Sequence, residues 1–186
     1  MTKQFKVAIL IGSLRKESYS RKLGKAFIAL APENLSLDFI EIGDLPLYNE
    51  DMETETPPAA WQNFRNALKK VDAVIFITPE YNRSIPGALK NAIDVASRPY
   101  GKGVWNGKPG AVVSISQGAL GGFGANHQLR QALVFNDVPT MQQPEAYIGR
   151  IQDLVTDDGK PANDDAAKFF SAIVQSFGKW VEKILH

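Results

Sequence analysis

Residues Ala73-Val74-Ile75-Phe76-Ile77 are apolar at every position, without the alternation of a strand that keeps one face in water. Such a run is expected of a strand covered on both faces, as in a parallel sheet with helices on each side. It leads into the polar loop Pro79-Glu80-Tyr81-Asn82-Arg83-Ser84, and Pro86 then opens a helix that reads to about Ser97. That order places the loop at the carboxyl end of a buried strand, where open α/β sheets bind their ligands.

The rest of the chain repeats the alternation. Phe5 to Ile11 reads as a first strand ending at Gly12, and Ser20 to Ala31 as a helix with Leu23, Phe27 and Leu30 on one face. Leu35 to Ile42 alternates as a second strand. Gly43 to Pro58 is an irregular, acidic, Pro-containing segment, and Ala59 to Lys70 a helix with Trp61, Phe64 and Leu68 at helical spacing. Gly110 to Ser116 is a fourth strand, Gln117 to Gly124 a glycine-rich loop and Ala125 to Asn136 a helix. Val138 to Met141 is the candidate fifth strand, at an edge because Pro139 cannot donate to a central ladder. A last helix, Asp164 to Leu185, aligns Phe169, Ile173, Phe177, Val181 and Ile184. Right-handed crossovers and this order predict a flavodoxin-like doubly wound α/β fold. It has five parallel strands in the order 2-1-3-4-5, helices on both faces, and one domain over residues 1–186. Its switch point lies between strands one and three, which the Gly12–Ser20 and Pro79–Ser84 loops follow.

Composition removes several functions. With a net charge of +1, the surface field gives no reason to expect nucleic acid or an anionic membrane. Met1 to Lys6 runs straight into a strand with no signal-peptide core, which predicts a cytoplasmic protein without a membrane insertion. The chain has no cysteine, so thiolate chemistry and disulfides are excluded, and redox work would need a cofactor. His127 and His186 do not form a metal site between them, and His127 reads as a helix-surface residue.

The Gly12–Ser20 loop offers a phosphate the backbone N–H groups and positive end of a helix, the hydroxyls of Ser13, Ser18 and Ser20, and the Arg15 guanidinium. An ordinary βα loop with capping serines is the plainer alternative. In the second loop Tyr81 is a stacking surface and Asn82 both donor and acceptor. Glu80 is either a general base or, more often in such turns, an acceptor of backbone N–H bonds. In the third, Gly122-x-Gly124 lacks the third glycine of a dinucleotide fingerprint, and residue 114 is Ser where a nucleophile elbow needs Gly. A loop that lets a flat ring approach its backbone is the better reading. Glu50, Asp51, Glu53 and Glu55 read as a solvated face, and Trp105 as a loop residue at the pocket end, open to a lid or subunit-contact role.

Gly12-Ser13-Leu14-Arg15 with its trailing serines, and Pro79-Glu80-Tyr81-Asn82 continuing to Ser84-x-Pro86-Gly87-x-Leu89-Lys90-Asn91-Ala92-Ile93-Asp94, resemble the NAD(P)H-dependent FMN reductases. Within that family the likeness is to the bacterial quinone and chromate reductases, through nearly the whole chain. The resemblance implies bound FMN, its phosphate held by Ser13, Arg15, Ser18, Tyr19 and Ser20. It implies that Pro79, Glu80, Tyr81, Asn82, Arg83 and Ser84 line the ring, with Ser116, Gln117 and Gly118 at the other edge. It also implies a homodimer or homotetramer with active sites near subunit contacts. Position 83 is Arg where relatives often carry Tyr. It either favours anionic acceptors or nicotinamide-cofactor phosphates, or faces outward.

The expected function is a flavoenzyme oxidising NADPH or NADH by a ping-pong route and reducing quinones, with chromate, azo compounds or ferricyanide as permissive acceptors. No side chain is expected to act as acid or base, since the cofactor carries the chemistry. A flavodoxin-like electron carrier or flavin-binding module without turnover is the alternative. The near-neutral charge counts against a carrier that docks through an acidic face.

Overall fold

The computed structural model describes residues 4–186, so residues 1–3 of the N-terminal reading lie outside it. The sheet holds β1 (Phe5–Ile11), β2 (Leu35–Phe39), β3 (Ala73–Pro79), β4 (Gly110–Ile115) and β5 (Ala146–Ile148). All neighbours pair parallel in the order β2-β1-β3-β4-β5, as the alternation predicts.

Side chains on alternate strand positions enter different cores. Val7, Ile9 and Ile11 of β1 pack with Phe27 of α1 (Tyr19–Ala29) and Phe170, Phe177 and Val181 of α5 (Asp164–Leu185). Ala8 and Leu10 face the other core, with Trp61 of α2 (Ala59–Lys69), Ile93 of α3 (Gly87–Ala96) and Leu129 of α4 (Phe123–Phe135). Burial on both faces is why β3 carries no polar residue before Thr78.

Four expectations need correction. The fifth strand is Ala146–Ile148, because the Val138–Met141 segment makes a single bridge, Gly110 to Thr140, and Pro139 offers only its carbonyl, which accepts from Gly110 N and Trp180 Nε1. The apolar stripe of α5 runs through Ala166, Phe170, Ile173, Val174, Phe177 and Val181, leaving Phe169 exposed. Trp105 is no lid: it lies in the α3–β4 connection at the amino ends of the strands. There it is buried against Phe64 and Phe76, and its Nε1 donates to Ile93 O at 2.9 Å. Glu53 leaves the solvated acidic face and pairs with Arg65 through two hydrogen bonds of 2.8 and 2.6 Å.

Candidate functional site

The carboxyl ends of β1, β3 and β4 open into a cleft of about 540 Å³ between the three loops singled out above. That volume falls in the range of small-molecule and cofactor sites.

The first wall runs from Gly12 to Ser20. Gly12 N donates to Ile77 O at 2.9 Å and holds the loop's start against β3. Ser18 caps α1, its side chain accepting from Arg21 N at 3.2 Å, and this turns the helix's first turn toward the cleft. The N–H groups of Tyr19 and Ser20 precede the first intrahelical bond and so remain donors for something outside the helix. Ser13, Arg15, Ser18, Tyr19 and Ser20 all line the cleft, together with Gly12 and Leu14.

In the second wall, Tyr81 and Ser84 exchange both backbone bonds, at 2.9 and 3.0 Å, around Asn82 and Arg83. Both central residues take positive φ, 51° and 62°, the geometry of a tight hairpin turn with mirror-image twist. Pro79, Glu80 and Tyr81 therefore border the cleft, while Asn82, Arg83 and Ser84 are carried past its edge and do not line it. Arg83 points outward with 78% of its side chain exposed, and Ser84 instead binds Gln128 of α4. The Ser84 amide is spent within the turn, on Tyr81 O. Glu80 accepts the Ala125 backbone N–H on Oε2 and Arg83 Nη1 on Oε1, each at 3.1 Å. It braces the loop to the first turn of α4, the second of its two sequence readings.

Ile115, Ser116 and Gln117 supply the third wall. Gly118 turns away: its carbonyl accepts Arg150 N at 3.0 Å and Ser116 Oγ at 2.8 Å, so it closes the loop instead of lining the cleft. Gly121 has φ 61°, and a Cβ there would lie 2.4 Å from the Tyr147 carbonyl carbon. Gly121 thus admits the β5 backbone, whereas Gly122 packs on β4 and Gly124 on the Glu80–Arg83 turn. Ser114 Oγ donates to Gly121 O at 2.7 Å and accepts from Asn126 Nδ2 at 3.1 Å, fixing the loop from beneath. His127 is exposed on α4, as expected, but its ring meets Phe123 and Tyr147.

Gly12, Leu14, Pro86, Gly87, Ala88, Ile115 and Ile151 also line the cleft and are not among the residues selected from the sequence. Gly12, Leu14 and Ile115 adjoin selected residues, and Pro86, Gly87 and Ala88 open the helix that follows the second loop, so all six were open to inference from position. Ile151 follows β5, and only the β4–β5 pairing brings it near.

The flavin mononucleotide implied by the resemblance meets a specific test here. Ser20 Oγ is buried and has no hydrogen-bond partner, the one such side-chain atom found among the described residues. A hydroxyl in this state costs free energy until something fills its bonding capacity. It lies beside the free amides of Tyr19 and Ser20 at the positive end of α1, where a phosphate would complete all three. The residues present fit the group. Among the described residues no cluster of His, Cys, Asp or Glu could hold a metal ion, and no helix is long and apolar enough to cross a membrane.

Comparison with known proteins agrees with this geometry. Residues 5–153 match the model of the NADPH-dependent FMN reductase family. A quinone reductase of Pseudomonas putida is 59% identical over 182 residues, 98% of this chain and 97% of that one. A 2-hydroxy-1,4-benzoquinone reductase from a Burkholderia species is 40% identical, covering 95% of this chain and 96% of its own. Among solved structures, the flavoenzyme NAD(P)H:(acceptor) oxidoreductase FerB from Paracoccus denitrificans superposes with a TM-score of 0.90 at 41% identity, covering 96% of this chain and 98% of the other.

Proposed function

This chain belongs to the NADPH-dependent FMN reductase family, and on that premise we propose that it reduces quinones by a ping-pong mechanism, with chromate, azo compounds and ferricyanide as permissive acceptors. It is an NAD(P)H-dependent FMN oxidoreductase, with FMN as cofactor and NADPH or NADH as electron source. The observation that carries the reading is the unfilled Ser20 hydroxyl at the head of α1, inside a cleft bordered by Tyr81 and Gln117.

FMN, when bound, supplies the two-electron chemistry. Ser13, Arg15, Ser18, Tyr19 and Ser20 hold its phosphate end. Pro79, Glu80, Tyr81, Ser116 and Gln117 orient its ring, while Asn82, Ser84 and Gly118 shape the loops that carry these groups. Glu80, the carboxylate lining the cleft, braces its loop by accepting from the Ala125 N–H and Arg83 Nη1. Reduced nicotinamide and acceptor then use the same open cleft in turn, the first leaving before the second enters. Arg83, at the exposed tip of the hairpin, is the charge an anionic acceptor would meet.

Exposed Tyr81, Leu120 and Phe123 near the cleft support self-association as a homodimer or homotetramer, which light scattering would test; a monomer at all concentrations removes this part. A cytoplasmic site belongs to the same reading, supported by the absence of cysteine.

Steady-state rates with NADPH and a benzoquinone varied together test the kinetic order. Parallel double-reciprocal lines are expected, and intersecting lines would overturn it. Stopped-flow mixing with NADPH tests turnover against the electron-carrier alternative. Slow or absent bleaching of the flavin, with rapid bleaching by a partner reductase, would favour the carrier.

A further inference from the structure

We propose that the groove on the outer side of the Gly12–Ser20 loop seats the adenosine-phosphate half of NADPH, an inference that rests on the oxidoreductase reading above. This groove, of about 520 Å³, lies between that loop and the end of β2 and shares Ser13, Leu14 and Arg15 with the cofactor cleft. The two spaces are therefore neighbours across one loop. A dinucleotide whose nicotinamide reaches the cleft carries an adenosine half that extends beyond it, and this groove adjoins the cleft across the shared Ser13–Arg15 segment. The other large groove, beside Tyr100 and Phe135, lies at the amino ends of the strands and is out of reach.

Chemistry points the same way. Ile40 and Ile42 give the groove an apolar wall for a base, and Arg15, Lys16 and Arg21 give it three cations against the single carboxylate of Glu41. A phosphate monoester on an adenosine matches both parts. Arg15 and Lys16 have no ion pair among the described residues. Arg21 is different: its Nη2 binds both Glu41 oxygens, at 2.8 and 2.6 Å, and its guanidinium lies 5.0 Å over the Phe39 ring. Glu41 is well exposed and both occupies Arg21 and repels an incoming phosphate. Lys16 is thus an attracting residue, and Glu41 a restraining one, for the same ligand.

Substitutions at these two positions should have opposite signs. The FMN-loaded protein is titrated with adenosine 2′,5′-bisphosphate by calorimetry, and KM is measured for NADPH and NADH with a benzoquinone acceptor. Lys16→Gln should weaken the bisphosphate and raise KM for NADPH about three- to tenfold, while Glu41→Gln should tighten the bisphosphate and lower that KM about two- to fivefold. KM for NADH should move less in both, and FMN content, read from flavin absorbance, should not change. A gain on Glu41→Gln cannot come from misfolding. Unchanged bisphosphate binding and unchanged KM in both variants would overturn the assignment. If NADPH fails to bleach the wild-type flavin, the oxidoreductase reading falls, and the calorimetric arm alone still decides whether the groove binds the nucleotide.

Discussion

Glu80 Oε2 accepts the backbone N–H of Ala125 at 3.1 Å, joining the end of β3 to the first turn of α4 across 45 residues of sequence. One carboxylate thereby caps a helix whose own N-cap, Gly122, has no side chain, and holds the Tyr81–Ser84 hairpin at the mouth of the cleft. Substitution at this carboxylate separates a structural from a catalytic role for the residue.

Glu80→Gln keeps an acceptor for Ala125 and should leave flavin reduction by NADPH within about twofold of wild type. Glu80→Ala should cost about 1–2 kcal/mol in urea unfolding, the loss expected for a helix cap with its charge–dipole interaction. Abolished reduction in Glu80→Gln with stability intact would restore the general-base reading.

Ser20→Ala removes a buried hydroxyl that has no partner. The apoprotein should therefore melt at the same temperature or slightly higher, because no bond is lost and an unsatisfied group is removed. FMN should bind about 10- to 100-fold more weakly, the loss of one hydrogen bond to a charged group. Fluorescence titration of the apoprotein with FMN measures it; unchanged affinity would place the phosphate elsewhere.

Arg65 and Glu53 have side chains only 9% and 11% exposed, and Arg65 Nε also donates to Val95 O at 2.8 Å. Glu53→Ala strands the guanidinium and should cost about 3 kcal/mol, lowering Tm by about 6–12 °C in a chain of this size. Arg65→Met combined with Glu53→Leu should recover much of that loss, since no charge is left buried. Equal destabilisation of single and double variants would contradict this account.

Asp158 has its carboxyl held down from 3.8 to about 2, first by the hydrogen bond from Lys160 and then by that from Thr156. A folded pKa below the unfolded one means the interaction is complete above about pH 4 and fades as the pH falls toward 2. Carbon-detected NMR titration should find Asp158 titrating near 2, and Lys160→Ala should move it upward. An Asp158 midpoint close to 3.8 in the wild type would rule out the pairing in solution. The site is exposed, so little change in global stability is expected.

Legibility in the sequence followed how local the cause was. Ser18 caps α1 through its own side chain three residues ahead of Arg21 N, a bond that a Ser before an amphipathic run announces. Strand β3 was equally plain, since burial on both faces removes every polar choice. Glu53 reads as solvated because acidic loop residues ordinarily meet water, and its partner Arg65 sits on the next helix. Trp105 reads from the sequence as a pocket-end residue, whereas its loop precedes β4. A connection that precedes a strand lies at its amino end, away from the cleft.

The candidate site divides along the same line. Ser13, Arg15, Ser18, Tyr19 and Ser20, and likewise Pro79, Glu80 and Tyr81, stand in two short stretches whose strands end side by side, so the strand pattern brings the two loops together and the family resemblance picks out their residues. Which of their neighbours face inward was decided by tertiary contacts. Positive φ at Asn82 and Arg83 swings the hairpin tip outward, Arg150 N holds the Gly118 carbonyl away, and β5 delivers Ile151. Periodicity and capping are properties of a segment, and the sequence by itself determined the α/β alternation and the loops that carry the chemistry. Side-chain direction at the cleft depends on bonds between segments far apart in the chain, and only the folded structure supplies those.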